Sequence, residues 1–365
     1  MEALLKPPIP FASLSTFPNS LFDQQALAPR PDGIEVSTWL AKAMLQKAIR
    51  RGDTGFALGA ASRLLELAPD QLWRRLAGLA VEDVGFGNWS LVASIVELAR
   101  SKRSRKAEGD EWQVVALAVE RLCPSAKCRA CDDLLLVSQR HPGLAGFRMQ
   151  VRTWDENRLL RFCSGQGSAM ERAIAALCFL QSQALNPRWA VSRQRADQMF
   201  RAFSDNGLTA EVVTVADRSF RRTREVLAFM ACILGTIVPK DQVLVDDPLK
   251  PTALINGVPN WAFDMFSHEG RAALALFLSF DCATARRIRA VVPVNRQIQV
   301  LGHLLFRVEG QLCKQRRQWQ QAKDLRRMMD YECHGPYLPE ASDILAMLTN
   351  DLPLLNLARF EAHNG

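Results

Sequence analysis

Cys123, Cys128 and Cys131, followed by His141, form a CxxxxCxxC run with a later imidazole. That is the donor set of a tetrahedral zinc site. A metal-free explanation competes with it. Ser125 is an N-cap residue type, and a helix starting there places Cys128 and Cys131 one turn apart as small buried side chains. Cys313, Cys333 and His334 form a looser set of the same kind. Glu82 and Asp83 are adjacent carboxylates with the composition for acid–base or metal chemistry, yet neighbouring side chains on a helix diverge by about 100°. In the last turn of a helix they oppose the macrodipole, at a cost of roughly 0.3–1 kcal/mol each if unpaired. Arg50 or Arg51, on the preceding helical hairpin, is the expected partner. Asp264 with His268 is a further candidate for a metal-dependent enzyme. There is no GxxxxGK[ST] phosphate loop, no GxGxxG after a strand, and no HExxH, GxSxG or calcium-loop pattern. The expectation is a protein that is not an enzyme and has no cofactor.

Charge is the stronger signal. The chain carries a formal net charge of +8. The stretch from Arg286 to Asp330 holds 11 basic residues against three acids, which equals that whole excess, so the remainder of the chain is neutral. The basic residues are Arg286, Arg287, Arg289, Arg296, Arg307, Lys314, Arg316, Arg317, Lys323, Arg326 and Arg327. On one helix Arg316, Lys323 and Arg327 share a side, with Arg317 adjacent. Such a row suits a phosphate backbone, because each neutralised phosphate releases condensed counterion. A solvated helix face, or arginines paired with acids elsewhere in the fold, accounts for the same residues without nucleic acid.

These residues sit on helices. Ser37 caps a helix that closes at Arg50, Arg51 and Gly52; Asp53 caps the next, and Asp70 a third that Gly85 stops. Later segments keep the helical period around Leu91, Trp112 and Leu134. Ser168 with Glu171 makes a capping box, and Ser192 caps a helix ending near Asn206-Gly207. Arg222 to Gly235 is apolar all round and therefore central. Residues 238–260 break the period with four prolines and form a long loop. Ser267 to Phe280 is helical, and Asn295 to about Cys333 reads as one long basic helix or two in line. The only strand-like runs are short, such as Gln242 to Val245. The fold class predicted is all-α, with an extended proline-rich arm over 1–33, a helical domain over 34–150, and a second helical lobe over 151–365 that contains the loop 238–260 and the basic helix 295–333.

Size and composition agree with this. The 365 residues, 48% hydrophobic and 23% charged, suit a large soluble core and exclude global disorder. Nine cysteines without a recognisable secretory signal point to reduced thiols and a cytoplasmic location. The longest uncharged apolar run is too short to span a bilayer, so no membrane is expected.

The stretch Leu45 to Asn88 resembles the region after the ATPase module in RarA/MgsA-type replication-associated recombination ATPases, relatives of the clamp loaders. Lys47, Ile49, Arg50, Gly52 and Asp53 match its K-x-I-R-G-x-D start. Arg74, Arg75, Leu76, Ala80, Glu82, Asp83, Val84 and Gly85 match its R-R-L-x-x-x-A-x-E-D-I-G end. The later SAKCRACDDLL is similar to a helix start in the same family, and the likeness covers about 100 residues in all. Val258 to Arg271 is similar to a P-x-[YW]-A-x-D-x-H-T-x-x-G-[KR] stretch in stand-alone proteins of phages and mobile elements. Pro259, Trp261, Ala262, Asp264, Gly270 and Arg271 agree, whereas Phe266 and Ser267 replace the His-Thr pair. The resemblance implies a clamp-loader-collar-like helical domain detached from its motor. It also implies a homo-oligomer or a replication or mobile-element partner, and DNA-associated work without ATP hydrolysis. A protein–protein adaptor whose basic helix meets an acidic partner is the alternative.

Overall fold

The protein is all-α. The computed structural model describes residues 29–364, apart from 33, 166, 181–190, 335–337 and 340. The arm expected over 1–33 therefore lies outside the described residues, save for 29–32. There Arg30 reaches Ser62 and Glu66 and lies over the Trp112 ring.

Ser37 accepts from the Leu40 amide and opens α1 (Thr38–Arg51), which Gly52 closes in the left-handed region at φ 70°. Asp53 caps α2 (Thr54–Leu67), completing a hairpin with α1. Proline begins α3 (Pro69–Leu79) at its first position, where the missing N–H costs nothing. Asp70 lies in that first turn rather than at the cap. Then follow α4 (Trp89–Arg100), α5 (Lys102–Glu108), α6 (Glu111–Leu122), α7 (Ala130–Arg140), α8 (Ala145–Val151), α9 (Glu156–Ser164) and α10 (Ala169–Phe179). Both halves of the capping box at Ser168 and Glu171 are present. Ser192 caps α11 (Arg193–Asp205), and α12 (Ala210–Thr223) ends at Arg224 with φ 64°. The apolar stretch is thus split, and α13 (Leu227–Gly235) is its central part, buried from Leu227 to Leu234.

The loop after α13 supplies β1 (Val243–Val245), β2 (Leu254–Ile255) and β3 (Val258–Pro259), the last two forming a small hairpin. Ser267 caps α14 (His268–Ser279), followed by α15 (Ala283–Val291) and α16 (Gln297–Leu305). Strand β4 (Arg316–Gln318) pairs antiparallel with β1, and α17 (Gln320–Tyr331) and α18 (Ser342–Asn364) complete the chain.

Two apolar clusters result. Among the described residues the larger gathers α1 to α4, α6 to α13, residues 255–263 and α17; the smaller gathers α14, α15, α16 and α18. The apolar interior therefore runs continuously past residue 150. Buried polar contacts join the clusters: Lys47 to Asp264 at 2.5 Å, and Arg359, paired with Glu309 at 2.6 Å, to the Phe263 carbonyl at 3.2 Å. Among the described residues no helix is long and apolar enough to cross a membrane.

The single basic helix expected over 295–333 does not form. After α16 the chain widens into a π turn over Phe306–Gly310 and then leaves helix altogether before β4. The cause is long-range: Cys313 and Arg316 bind the Asp247 carboxylate, and Val243–Val245 pair with Arg316–Gln318. The periodic stripe through Leu312 was a local pattern that sheet pairing overrides.

Candidate nucleic-acid interface and the charge network behind it

Helix α3 runs into a π turn over Ala80–Val84, which Gly85 ends at φ 46°. A side chain on Gly85 would place its Cβ 2.8 Å from the Cys128 carbonyl, so this turn needs glycine both for conformation and for space. Asp83 is wholly buried there. It accepts from Arg50 Nε at 2.6 Å and from Arg129 Nη1, while Glu82 accepts from Arg50 Nη2 at 2.9 Å. Arg50 also donates to the Gly310 carbonyl at 2.7 Å. The guanidiniums of Arg50, Arg129 and Arg307 all lie 5.1–5.3 Å from the centre of the Phe306 ring. Phe306 thus serves as the apolar floor of a three-arginine cluster.

The electrostatic reason for the cluster is simple. Carboxylates at a helix C-terminus and a cation at the N-terminus of α7 are each misplaced with respect to the macrodipole. Bringing the two ends together cancels both errors. Burial alone raises the Asp83 pKa; Arg50 and Arg129 more than offset it and hold the carboxyl below the usual range. Asp132 and Asp133, in the first turn of α7, show the opposite balance. Burial pushes both upward despite Arg129, and Asp133 Oδ1 has no hydrogen-bond donor.

Of the two arginines expected to face the carboxylates, only Arg50 does. Arg51 turns to the Lys250 carbonyl and lies over the Trp261 ring at 5.3 Å. Trp261 is buried, donating to Thr252 Oγ1 at 3.0 Å. Asp264 is taken by Lys47 at 2.5 Å, so the segments 45–88 and 258–271 meet each other. Gly270 is required where α14 starts, because a Cβ would fall 1.9 Å from the Asp264 carbonyl. Arg74 is exposed and pairs with Asp70 at 3.2 Å. Arg271, Phe266 and His268 are exposed. Asp264 and His268 share no hydrogen bond or ion pair among the described residues.

The structure divides the basic residues. Arg286, Arg287 and Arg289 are exposed on α15; Arg286 pairs with Asp281 at 2.9 Å, and Arg289 donates to the Leu278 and Phe280 carbonyls. Arg317, Lys323 and Arg327 are exposed further along, on β4 and α17. Arg316 does not join them. It is 3% exposed and binds Asp247 through Nε at 3.0 Å and Nη2 at 2.7 Å. Arg326 is half-buried on the other oxygen of Asp247 at 2.7 Å. The expected row of Arg316, Lys323 and Arg327 is corrected accordingly: Arg316 belongs to the interior, because β4 turns it onto a buried carboxylate.

The cysteine set does not converge. Helix α7 starts at Ala130 rather than after Ser125, because Lys127 forms a bridge with Arg316 and the Cys128 amide donates to the Asp83 carbonyl. Cys131 and His141 then lie at opposite ends of α7, about 15 Å apart along its axis. His141 pairs with Glu332 at 2.8 Å. Burial pushes the Cys123 thiol up to about 12 and Cys128 to about 11. Among the described residues no three His, Cys, Asp or Glu side chains are grouped to hold a metal ion. His334 is bound to the Asp330 carbonyl at 2.7 Å.

Sequence patterns missed Arg129, Asp247 and Phe306. Arg129 had one usable signal, a cation at a helix start; Asp247 and Phe306 had none, since their partners are far away in the chain. Comparison of the chain with protein-family models, curated proteins and solved structures found no match.

Proposed function

We propose that this chain is a non-enzymatic, DNA-associated accessory factor of replication, recombination, repair or a mobile element. It binds DNA backbone without base readout and meets copies of itself or a partner through its collar-like helical part. The observation that carries the reading is the fate of the charge excess. Of the 11 basic residues between Arg286 and Asp330, Arg307 and Arg316 are buried and Arg326 half-buried; the other eight are exposed. The three acids of the segment are buried or half-buried. Arg287, Arg317 and Lys323 have no acidic partner among the described residues, which leaves them for phosphate.

The adaptor reading has its own support. Leu354, Leu357 and Phe360 are each 40–48% exposed at helical spacing on α18, an apolar stripe suited to a protein partner. Fluorescence anisotropy with labelled duplex separates the two. The DNA reading requires that Arg286→Glu/Arg287→Glu or Arg317→Glu/Arg327→Glu weaken binding by about tenfold or more, a change of about 1.4 kcal/mol. Absence of DNA binding by the native chain, or indifference to both pairs, rejects it in favour of the adaptor.

A further inference from the structure

A second cationic feature lies in the first helical part, among residues the DNA reading does not use. A cleft of about 270 Å³ is bounded by the start of α3, the end of α4, α5, the start of α6 and the end of α12. Its charged lining is Arg100, Lys102, Arg105 and Arg222 against Asp70 and Glu111.

Arg105 is the unusual member. Only 8% exposed, its guanidinium lies 4.6 Å from the centre of the Trp73 ring. Among the described residues its one hydrogen bond is a long one, from Nη1 to the Leu98 carbonyl at 3.4 Å. Nε forms an ion pair with Glu111 Oε1 at 3.5 Å but has no closer hydrogen-bonded acceptor. Glu111 is itself engaged by Trp73 Nε1 at 3.2 Å. The ion pair is long and shared, so the buried guanidinium keeps donor capacity for a further acceptor.

The neighbours arrange charge around it. Arg222 binds the Asp70 carboxylate at 2.8 Å and the Asp70 carbonyl at 2.9 Å, and its Nε is buried without an acceptor. Asp70 and Glu111 thus hold the two guanidiniums in place rather than cancelling the whole site. Lys102, exposed at the rim, makes no hydrogen bond or ion pair among the described residues. Arg100 pairs with Glu97 at 2.8 Å. Pro69 and Asp70 line the cleft where α3 opens without a side-chain cap.

We infer that this cleft is a binding site for a phosphate-class oxyanion, held by Lys102, Arg105 and Arg222. The planar guanidiniums supply forked donors and the ammonium a point charge, the usual division of labour for phosphate. The phosphate could be free, or it could be the terminal 5′ group of a nucleic acid chain. The site is independent of the exposed arginines on α15 and α17.

Isothermal titration calorimetry of the full chain with inorganic phosphate tests it, alongside Lys102→Glu and Arg105→Gln. Saturable binding is expected at a Kd of about 1 mM or tighter, weakened at least about tenfold by Lys102→Glu, whose exposed position spares the fold. Arg105→Gln is expected to do the same; should it fail to fold, Lys102→Glu decides. Short oligonucleotides with a 5′-phosphate or a 5′-hydroxyl distinguish the sources. Tighter binding of the 5′-phosphorylated than of the 5′-hydroxyl strand, a difference lost with Lys102→Glu, assigns the site to a chain end, and equal binding of the two strands assigns it to free phosphate. No binding of either phosphate, or binding unchanged by Lys102→Glu, overturns the proposal while leaving the DNA reading at α15 and α17 untouched.

Discussion

Replacing Asp83 by alanine removes the anion at the centre of the buried network. The carboxylate is 0% exposed and holds Arg50 at 2.6 Å as well as Arg129. Removing one partner of a buried pair costs about 3–5 kcal/mol, because a charge is left without compensation. Here Arg50 keeps Glu82 at 2.9 Å and the Gly310 carbonyl at 2.7 Å, and Arg129 keeps Asp132. That residual pairing places the expected loss near the lower end, about 3 kcal/mol. Melting temperature should fall by about 4 °C, given an unfolding entropy of roughly 2.1 cal/mol/K per residue. Urea unfolding followed by tryptophan fluorescence and circular dichroism measures the loss. Glu82→Gln is the internal control, with an expected loss of about 1 kcal/mol because its side chain is partly exposed and retains an acceptor. The pH dependence has a definite sign. The folded-state pKa of Asp83 is lowered, so its contribution is complete above about 3.9, the unfolded value, and is lost as pH falls through the lower folded value. The gap between native chain and variant should therefore close in acid. A cost of less than about 1 kcal/mol at pH 7, or one no larger than that of Glu82→Gln, would refute the reasoning.

Other outcomes follow from the same network. Asp133→Asn should leave stability within about 0.5 kcal/mol or raise it at pH 7, since burial raises the pKa of that carboxyl and Oδ1 has no donor. A raised folded pKa gives stability that is complete below about 3.9 and lost as pH rises through the folded value, so the advantage of the asparagine should grow with pH in urea titrations. Arg316→Glu should cost at least about 3 kcal/mol in the same assay, because it faces the reversed charge with Asp247. Arg317→Glu, one residue away but exposed, should stay within about 0.5 kcal/mol. Equal losses for the two would contradict the placement of β4.

What could be read from the chain was local. Ser37, Asp53, Ser168 with Glu171, Ser192 and Ser267 cap where their types and spacing indicate, because a cap is satisfied within three residues. Arg50 or Arg51 could be named as the partner of Glu82 and Asp83 because misplaced charge at a helix end demands compensation nearby, but nothing local chose Arg50 over Arg51. The break between α16 and α17 could not be read. Its cause is the Asp247 carboxylate and β1, some 70 residues earlier, and the intervening apolar period fits a helix well. Asp247 itself lies among prolines, where it resembles an ordinary solvated loop acid. Arg359, fully buried on Glu309, carries no local signature, since one charged residue near a C-terminus looks like surface. The exposed arginines were found by counting charge, but counting did not separate Arg316 from Arg317, which differ only in which side of β4 they occupy.

The central claim is that the exposed arginines and lysine of α15, β4 and α17 take DNA phosphates. The most direct measurement is the affinity for labelled duplex across a salt series, for the native chain and for a variant with Arg286, Arg287, Arg317 and Lys323 changed to alanine. Log affinity should fall linearly with log salt, and the variant should flatten the slope by about 0.9 for each residue that neutralises a phosphate. A native chain that fails to bind at about 50 mM salt, or a slope that the four substitutions leave unchanged, would contradict the claim.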